Sequence, residues 1–288
     1  MAELYGSSPV KARRTQQEIN SLKLGLVDIV EAEQPMTVRG VFYRSVAAGL
    51  IAKTDPSYKV ISRLLLQLRR DGVIPYSWIT DGTRWQIKPR SFNGMEDARI
   101  AMVRMFRRAL WNDQDAYVEV FAEKDAIAGI LSAVTSEWDV PLNVVRGFAS
   151  ETFLWSVAQD IIAIDKPTYL YHFGDHDPSG LLSAQDVERR LRGFAPDADI
   201  HFKRVAVTTA QITKWKLLTR PTKTSTHHRG FEGESVEIDA ISATRLRQLV
   251  TDCIERHIDP DRLDRVRGVE AVERQSLEIA LATWGKPA

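Results

Sequence analysis

The chain has 288 residues, of which 44% are hydrophobic and 27% charged, and its formal net charge is +1. Such a composition buries a real core and suits two domains of ordinary size or one large one. It holds no run of eighteen apolar residues, which argues against a membrane-spanning helix, and one cysteine, Cys253, which excludes an intramolecular disulfide and a cysteine-rich zinc site. The first fourteen residues lack the apolar stretch and small-residue cleavage site of a secretory signal, so a cytoplasmic, nucleoid-associated protein is expected.

Net charge does not announce a nucleic-acid partner; its distribution, a weak signal taken alone, points toward DNA or RNA. Lys11, Arg13, Arg14, Arg39, Arg44, Lys53, Lys59, Arg63, Arg69, Arg70, Arg84, Lys88 and Arg90 crowd the first ninety residues, where acidic residues are sparse. In chain order, Thr15 to Glu33 carries Ile19, Leu22, Leu26 and Ile29 to Val30 at helical spacing, and Gln34-Pro35 ends the helix. Thr37 caps a second predicted helix over Val38 to Leu50. Asp55-Pro56-Ser57 starts a third, with Val60, Leu64, Leu65 and Leu68 on its apolar face and Arg63, Arg69 and Arg70 elsewhere. Val73 to Ile79 and Arg84 to Ile87 flank Asp81-Gly82 as a predicted hairpin. Three helices followed by a hairpin is the order of a winged helix, whose last helix enters the major groove. The candidate DNA contacts are Arg44, Lys59, Arg63, Arg69, Arg70 and Arg84. An amphipathic helix with solvated arginines is the alternative.

Ser91 to Gly94 reads as a linker, giving a boundary between residues 1–92 and 93–288. Met95 to Leu110 reads as a helix. Beyond it strands and helices alternate: strands at Tyr117–Phe121, Leu142–Val145, Thr168–Phe173 and Ile200–Val207, helices at Asp125–Val134, Ser150–Ile162 and Gly180–Leu191. Alternation of this kind predicts an α/β fold with a mostly parallel, Rossmann-like sheet covered on both faces. Ser242 to His257 reads as a further helix.

Two acidic elements follow predicted strands. Glu123 comes after Val118 to Ala122, and Asp175-His176-Asp177 comes after Tyr169 to Gly174. Functional groups of open α/β sheets gather at the carboxyl ends of strands. Three carboxylates brought together repel one another, and a hard divalent cation, Mg²⁺ or Mn²⁺, relieves that repulsion. Pro178-Ser179-Gly180 turns the chain into a helix, whose N-terminus suits phosphate. Taken alone, Asp177 to Gly180 also reads as a turn and helix cap, and Glu123 as a first-turn helix acid.

The stretches Ala122-Glu123-Lys124-Asp125, Arg146-Gly147-Phe148 and Gly174-Asp175-His176-Asp177-Pro178-Ser179-Gly180 resemble the Toprim domain of the topoisomerase VI A subunit and of the related meiotic double-strand-break protein. Arg39-Gly40-Val41-Phe42-Tyr43 is similar to the winged-helix motif of that family, with Phe42 where the family often has a first tyrosine. The resemblance covers about residues 37 to 182, and the chain looks like the minimal stand-alone "Mini-A" relatives. It implies that Glu123, Asp175 and Asp177 hold Mg²⁺, that Arg39 assists at the phosphate, and that Tyr43 becomes linked to a DNA 5′ end. It also implies a homodimer that makes double-strand breaks, because the tyrosine of one protomer works with the metal site of the other. No Walker-type glycine loop is present, so either a separate ATPase B-type subunit serves strand passage or no strand passage occurs.

Two alternatives stay open at this point. A Toprim nuclease of the plasmid-defence kind would use water, with Tyr43 in the core beside Val38, Val41, Phe42 and Val46. A DNA-binding module with a vestigial acidic site would not cleave at all. Lys124 adds a candidate phosphate contact next to Glu123. Arg220, Lys223, His227, His228 and Arg229 suggest a DNA-contacting loop, and a histidine metal site there is the lesser alternative. Glu237-Ile238-Asp239 reads as the start of a final helical region or as a late addition to the acidic site.

Overall fold

The computed structural model describes residues 14–80, 88–222, 231 and 233–283. Contacts divide the chain into two compact units, Met1–Ile79 and Thr80–Ala288. The architecture is α/β. Among the described residues no helix is long and apolar enough to cross a membrane.

The first unit is built on helices α1 (Gln16–Glu33), α2 (Val38–Ala47) and α3 (Asp55–Arg70). Each begins on a threonine. Thr15 and Glu18 form a reciprocal capping box, and Thr37 and Thr54 accept the amide protons of Gly40 and Ser57. Leu22, Leu26 and Val30 of α1, Val41 and Phe42 of α2, and Ile61, Leu64, Leu65 and Leu68 of α3 are buried, which is the expected helical spacing except that Ile61 takes the buried place expected of Val60. Strand β1 (Met36–Thr37) lies between α1 and α2 and pairs with β2 (Ile79–Thr80).

The hairpin expected after α3 is corrected in its first half. Tyr76–Trp78 is a turn of 3₁₀ helix, and extended pairing starts only at Ile79. Pro75 has no amide hydrogen to give a ladder and sets the chain up for a turn. The second half, Arg84 to Ile87, lies outside the described residues.

The second unit contains a four-stranded parallel sheet of β3 (Tyr117–Ala122), β4 (Leu142–Val144), β5 (Thr168–Phe173) and β6 (Ile200–Ala206), in the order β4-β3-β5-β6. Helices α5 (Asp125–Thr135), α6 (Glu151–Ile164) and α7 (Pro178–Phe194) join consecutive strands. Phe121 and Leu170 share one face of the sheet and pack with Leu154, Val157, Ala158 and Ile161 of α6 and Val187 and Leu191 of α7. On the other face α5 lies against α9 (Ala243–Glu255), and Tyr171 hydrogen-bonds His257 just past α9, at 2.7 Å.

Helix α4 (Met95–Met105) stops at Met105, short of the expected Leu110, and a 3₁₀ turn runs from Leu110 to Asp113. Two further helices were not expected: α8 (Thr209–Trp215) and α10 (Pro260–Thr283), which packs against α4.

The strand order has one consequence for function. The chain leaves β3 toward β4 on one side and leaves β5 toward β6 on the other. Neighbouring strands with opposite exits open a crevice between their carboxyl ends, the usual place for a ligand in this architecture.

Candidate functional site

Glu123 is the first residue beyond β3, and Asp175 lies two beyond β5, so both stand at that crevice. The register Ala122↔Phe173 aligns the two strand ends, and the Glu123 amide donates to Phe173 O at 2.9 Å. Glu123 turns back over the gap, and its Oε2 accepts the Asp175 amide at 2.8 Å. Asp175 Oδ1 accepts the Ile238 amide at 2.9 Å. Asp177 caps α7: its Oδ1 accepts the Gly180 amide at 2.8 Å.

Two glycines make this approach possible. A Cβ at Gly174 would collide with Glu123 Oε2, and one at Gly180 would sit 2.5 Å from Asp175 O and 2.9 Å from Glu123 Oε2. Such distances lie inside van der Waals contact, so both positions demand glycine for space, not for backbone conformation.

The structure adds a second acidic pair. His176 and Val236 exchange backbone hydrogen bonds as an antiparallel bridge, which sets Glu237-Ile238-Asp239 beside Asp175-His176-Asp177. Lys124 Nζ lies 2.7 Å from Asp175 Oδ2, 3.5 Å from Asp239 Oδ2 and 3.8 Å from Glu237 Oε2. Arg220 reaches Glu237 Oε1 at 3.0 Å and Asp177 Oδ2 at 3.3 Å. Arg204, from β6, donates to the carbonyls of Gly174, Asp175 and Val207, tying the acidic segment to the end of β6.

Burial and like charge mark the cluster. Glu123 is pushed up to about 7, first by burial and then by the charge of Asp175. Burial pulls the Lys124 ammonium down, but Asp175, Asp239 and Glu237 more than offset it, and its pKa stands above the ordinary lysine value. Burial also lowers Arg204.

Among the described residues, no group of three or more His, Cys, Asp or Glu side chains is arranged to hold a metal ion. Asp175 and Asp177 face Lys124, Arg220 and backbone amides. In donor chemistry the set does suit Mg²⁺ or Mn²⁺: every side chain offers hard carboxylate oxygen, and Gly174 and Gly180 let the Glu123 carboxylate close over the Asp175 backbone.

The remaining candidates divide between the units. Tyr43 is buried, at 5% exposure, edge-on to Phe42 and with Lys53 Nζ 5.3 Å above its ring. Arg39 is exposed one turn earlier on α2. Arg44 pairs with Glu33 at 2.8 Å. Lys59, Arg63 and Arg70 are exposed on α3, whereas Arg69 donates to Leu65 O at 3.2 Å and lies over the Tyr76 ring. Arg84, Lys223, His227, His228 and Arg229 lie outside the described residues. Lys124, expected at phosphate, is held inside the carboxylate cluster.

Sequence reasoning missed Arg204 entirely and assigned Arg220 to a loop reaching for DNA. Glu237 and Asp239 do not open helix α9, which starts at Ala243; they flank Ile238 in and before a short 3₁₀ turn, Ile238–Ala240, beside the acidic segment. A signal existed for this pair, since Glu237-x-Asp239 repeats the alternation of Asp175-x-Asp177. No family model matches the chain, and no curated protein matches its sequence.

Proposed function

We propose that this chain is a divalent-cation-dependent DNA-cleaving protein of the topoisomerase VI A kind, with a winged-helix unit bearing Tyr43 and a Toprim unit bearing Glu123, Asp175 and Asp177. The observation that carries the reading is the approach of Glu123 to Asp175 at the switch point of a parallel sheet, flanked by Gly174 and Gly180. The order of motifs, from Arg39 and Tyr43 through Glu123 to Asp175 and Asp177, supports it.

Glu123, Asp175 and Asp177 would hold Mg²⁺ or Mn²⁺, which supplies positive charge against the oxygens of a scissile phosphodiester. The exposed Lys59, Arg63 and Arg70 of α3 suit the flanking phosphates of a duplex. Arg39 would orient the reacting phosphate. Tyr43 Oη, giving up its proton, forms a bond to phosphorus, and the bond from phosphorus to the 3′ oxygen breaks. That oxygen takes a proton and leaves as a hydroxyl, while the 5′ end stays on the protein as a phosphotyrosyl ester. In a homodimer two such steps on opposite strands give a double-strand break. Strand passage would call for a separate ATPase subunit.

One observation favours a second reading. Tyr43 is buried against Phe42, as a structural side chain would be. Water, giving up a proton, would then attack phosphorus, one ester bond would break, and the products would be a DNA end bearing a terminal phosphate and a DNA end bearing a hydroxyl.

End-labelled duplex DNA incubated with Mg²⁺ or Mn²⁺ and quenched in detergent separates the two. The expected result is a 5′-linked protein adduct that disappears in Tyr43→Phe. Cleavage without an adduct, equal in both proteins, establishes the hydrolytic nuclease. No cleavage by wild type with either ion defeats both readings and leaves a DNA-binding module.

A further inference from the structure

Lys124 stands out because three carboxylates share one ammonium. Its closest partner is Asp175 Oδ2 at 2.7 Å, with Asp239 and Glu237 at 3.5 and 3.8 Å. The other oxygen of Asp175 is already engaged by the Ile238 amide. The Lys124 side chain is 26% exposed, so its flexible stem has a route to solvent, whereas the carboxylates around it are 2 to 7% exposed. An exposed helix-surface pair would be loose and nearly neutral in energy. This one holds otherwise repelling acids together.

We propose that Lys124 is a built-in counter-cation: its ammonium holds the place on Asp175 Oδ2 that a divalent ion takes, and ion binding drives Lys124 off that oxygen. The inference rests on the metal reading above. An ammonium and a divalent cation repel strongly at contact distance in a partly buried site. Both cannot engage the same oxygen. Metal affinity is therefore the difference between what the ion gains and what the lysine loses. Lys124 keeps the metal-free site folded and lowers its affinity for metal.

The test needs no DNA. Mn²⁺ binding is measured by calorimetry and by the spin-resonance signal of free Mn²⁺, for wild type, Lys124→Met, Asp175→Asn and Lys124→Met/Asp239→Asn. The double variant keeps the formal charge of the wild-type cluster, so a gain there reflects vacated space rather than added negative charge. Tightening of about five-fold or more is expected in Lys124→Met, and a smaller but clear tightening in the double variant. Equal or weaker binding in both, with binding abolished by Asp175→Asn, overturns the competition and leaves the metal site standing. Absence of Mn²⁺ binding in wild type and in Lys124→Met overturns both.

A measurement on the unaltered chain guards against variants that fail to fold. A held ammonium gives a slowly exchanging ¹⁵N–¹H signal, assigned by its loss in Lys124→Arg. It should vanish as Mg²⁺ saturates, and its persistence at saturation overturns the proposal.

Discussion

Glu119 and Glu123 lie four residues apart on and just beyond one strand, and both carboxyls are pushed up to about 7, chiefly by burial. Glu119 sits under the sheet face at 3% exposure, with Asn143 donating to it at 2.7 Å. Its native pKa stands above the ordinary value of 4.5. Between those two values the folded protein keeps a proton that the unfolded chain has lost. Stability therefore falls as pH rises from about 4.5 to about 7, by at most ~3 kcal/mol for this group. Glu119→Gln keeps an acceptor for Asn143 and removes the charge. We expect it to be more stable than wild type at pH 8, equal at pH 4, and to show a shallower decline between, in urea unfolding followed by circular dichroism. An unaltered decline would mean that Glu119 is solvated in the native state. Gly174 tests the neighbouring carboxyl by space rather than charge. Gly174→Ala sets a methyl against Glu123 Oε2 and should cost about 1–3 kcal/mol, read in the same unfolding curves. A neutral result would show that Glu123 is not packed over the crevice.

The helices and strands were legible in proportion to the length and regularity of their apolar pattern. Helix α3 shows it well: Asp55-Pro56-Ser57 marks its start and Leu64, Leu65 and Leu68 are buried as expected, with Ile61 rather than Val60 completing the buried face. Strand β5 was read with its observed limits, because a run of aromatic and apolar residues between Pro167 and Gly174 fits a buried parallel strand. Helix α10 escaped because its buried residues, Leu263, Val266 and Leu281, are sparse, while Val269, Val272 and Ile279 are exposed. Helix α8 buries no residue, and its only signature is the box formed by Thr208 and Gln211. The arginines of α3 show what periodicity cannot rank. Arg63 is exposed, but Arg69 packs on Tyr76 and caps Leu65 O. Arg63→Ala should therefore weaken duplex binding and lower the salt slope by about one, with little change in stability. Arg69→Ala should lower the melting temperature as well, since it removes stem packing. Fluorescence anisotropy across a salt series, paired with thermal melts, distinguishes them. Equal melting temperatures would contradict the contact between Arg69 and Tyr76.

At the scale of the molecule, charge separates between the units. Residues 1–79 carry eleven Lys and Arg against seven Asp and Glu, a formal +4, which leaves −3 for residues 80–288. The positions of Glu123, Asp175 and Asp177 were legible because strand ends can be read from pattern. Their surroundings were not, because Arg204, Arg220, Glu237 and Asp239 reach the site through strand pairing and a backbone bridge that join distant stretches of chain. Those additions alter the electrostatic argument. Among the described residues four carboxylates, joined by Glu123 once it loses its proton above about pH 7, face three cations, Lys124, Arg204 and Arg220, so the cluster keeps a negative excess. A DNA phosphate brought to it without a divalent ion meets repulsion, and affinity in chelator must come from elsewhere, chiefly the basic first unit. Asp175→Asn removes one of the repelling charges. It should abolish cleavage yet bind duplex DNA in chelator at least as tightly as wild type, with the same salt slope. Binding weakened about ten-fold or more, in a variant shown to be folded, would mean that Asp175 orders a DNA-contacting surface and that repulsion is not the dominant effect. Unchanged or tighter binding assigns the two tasks separately: the basic unit holds the duplex, and the acidic cluster acts only once its charge is met by metal.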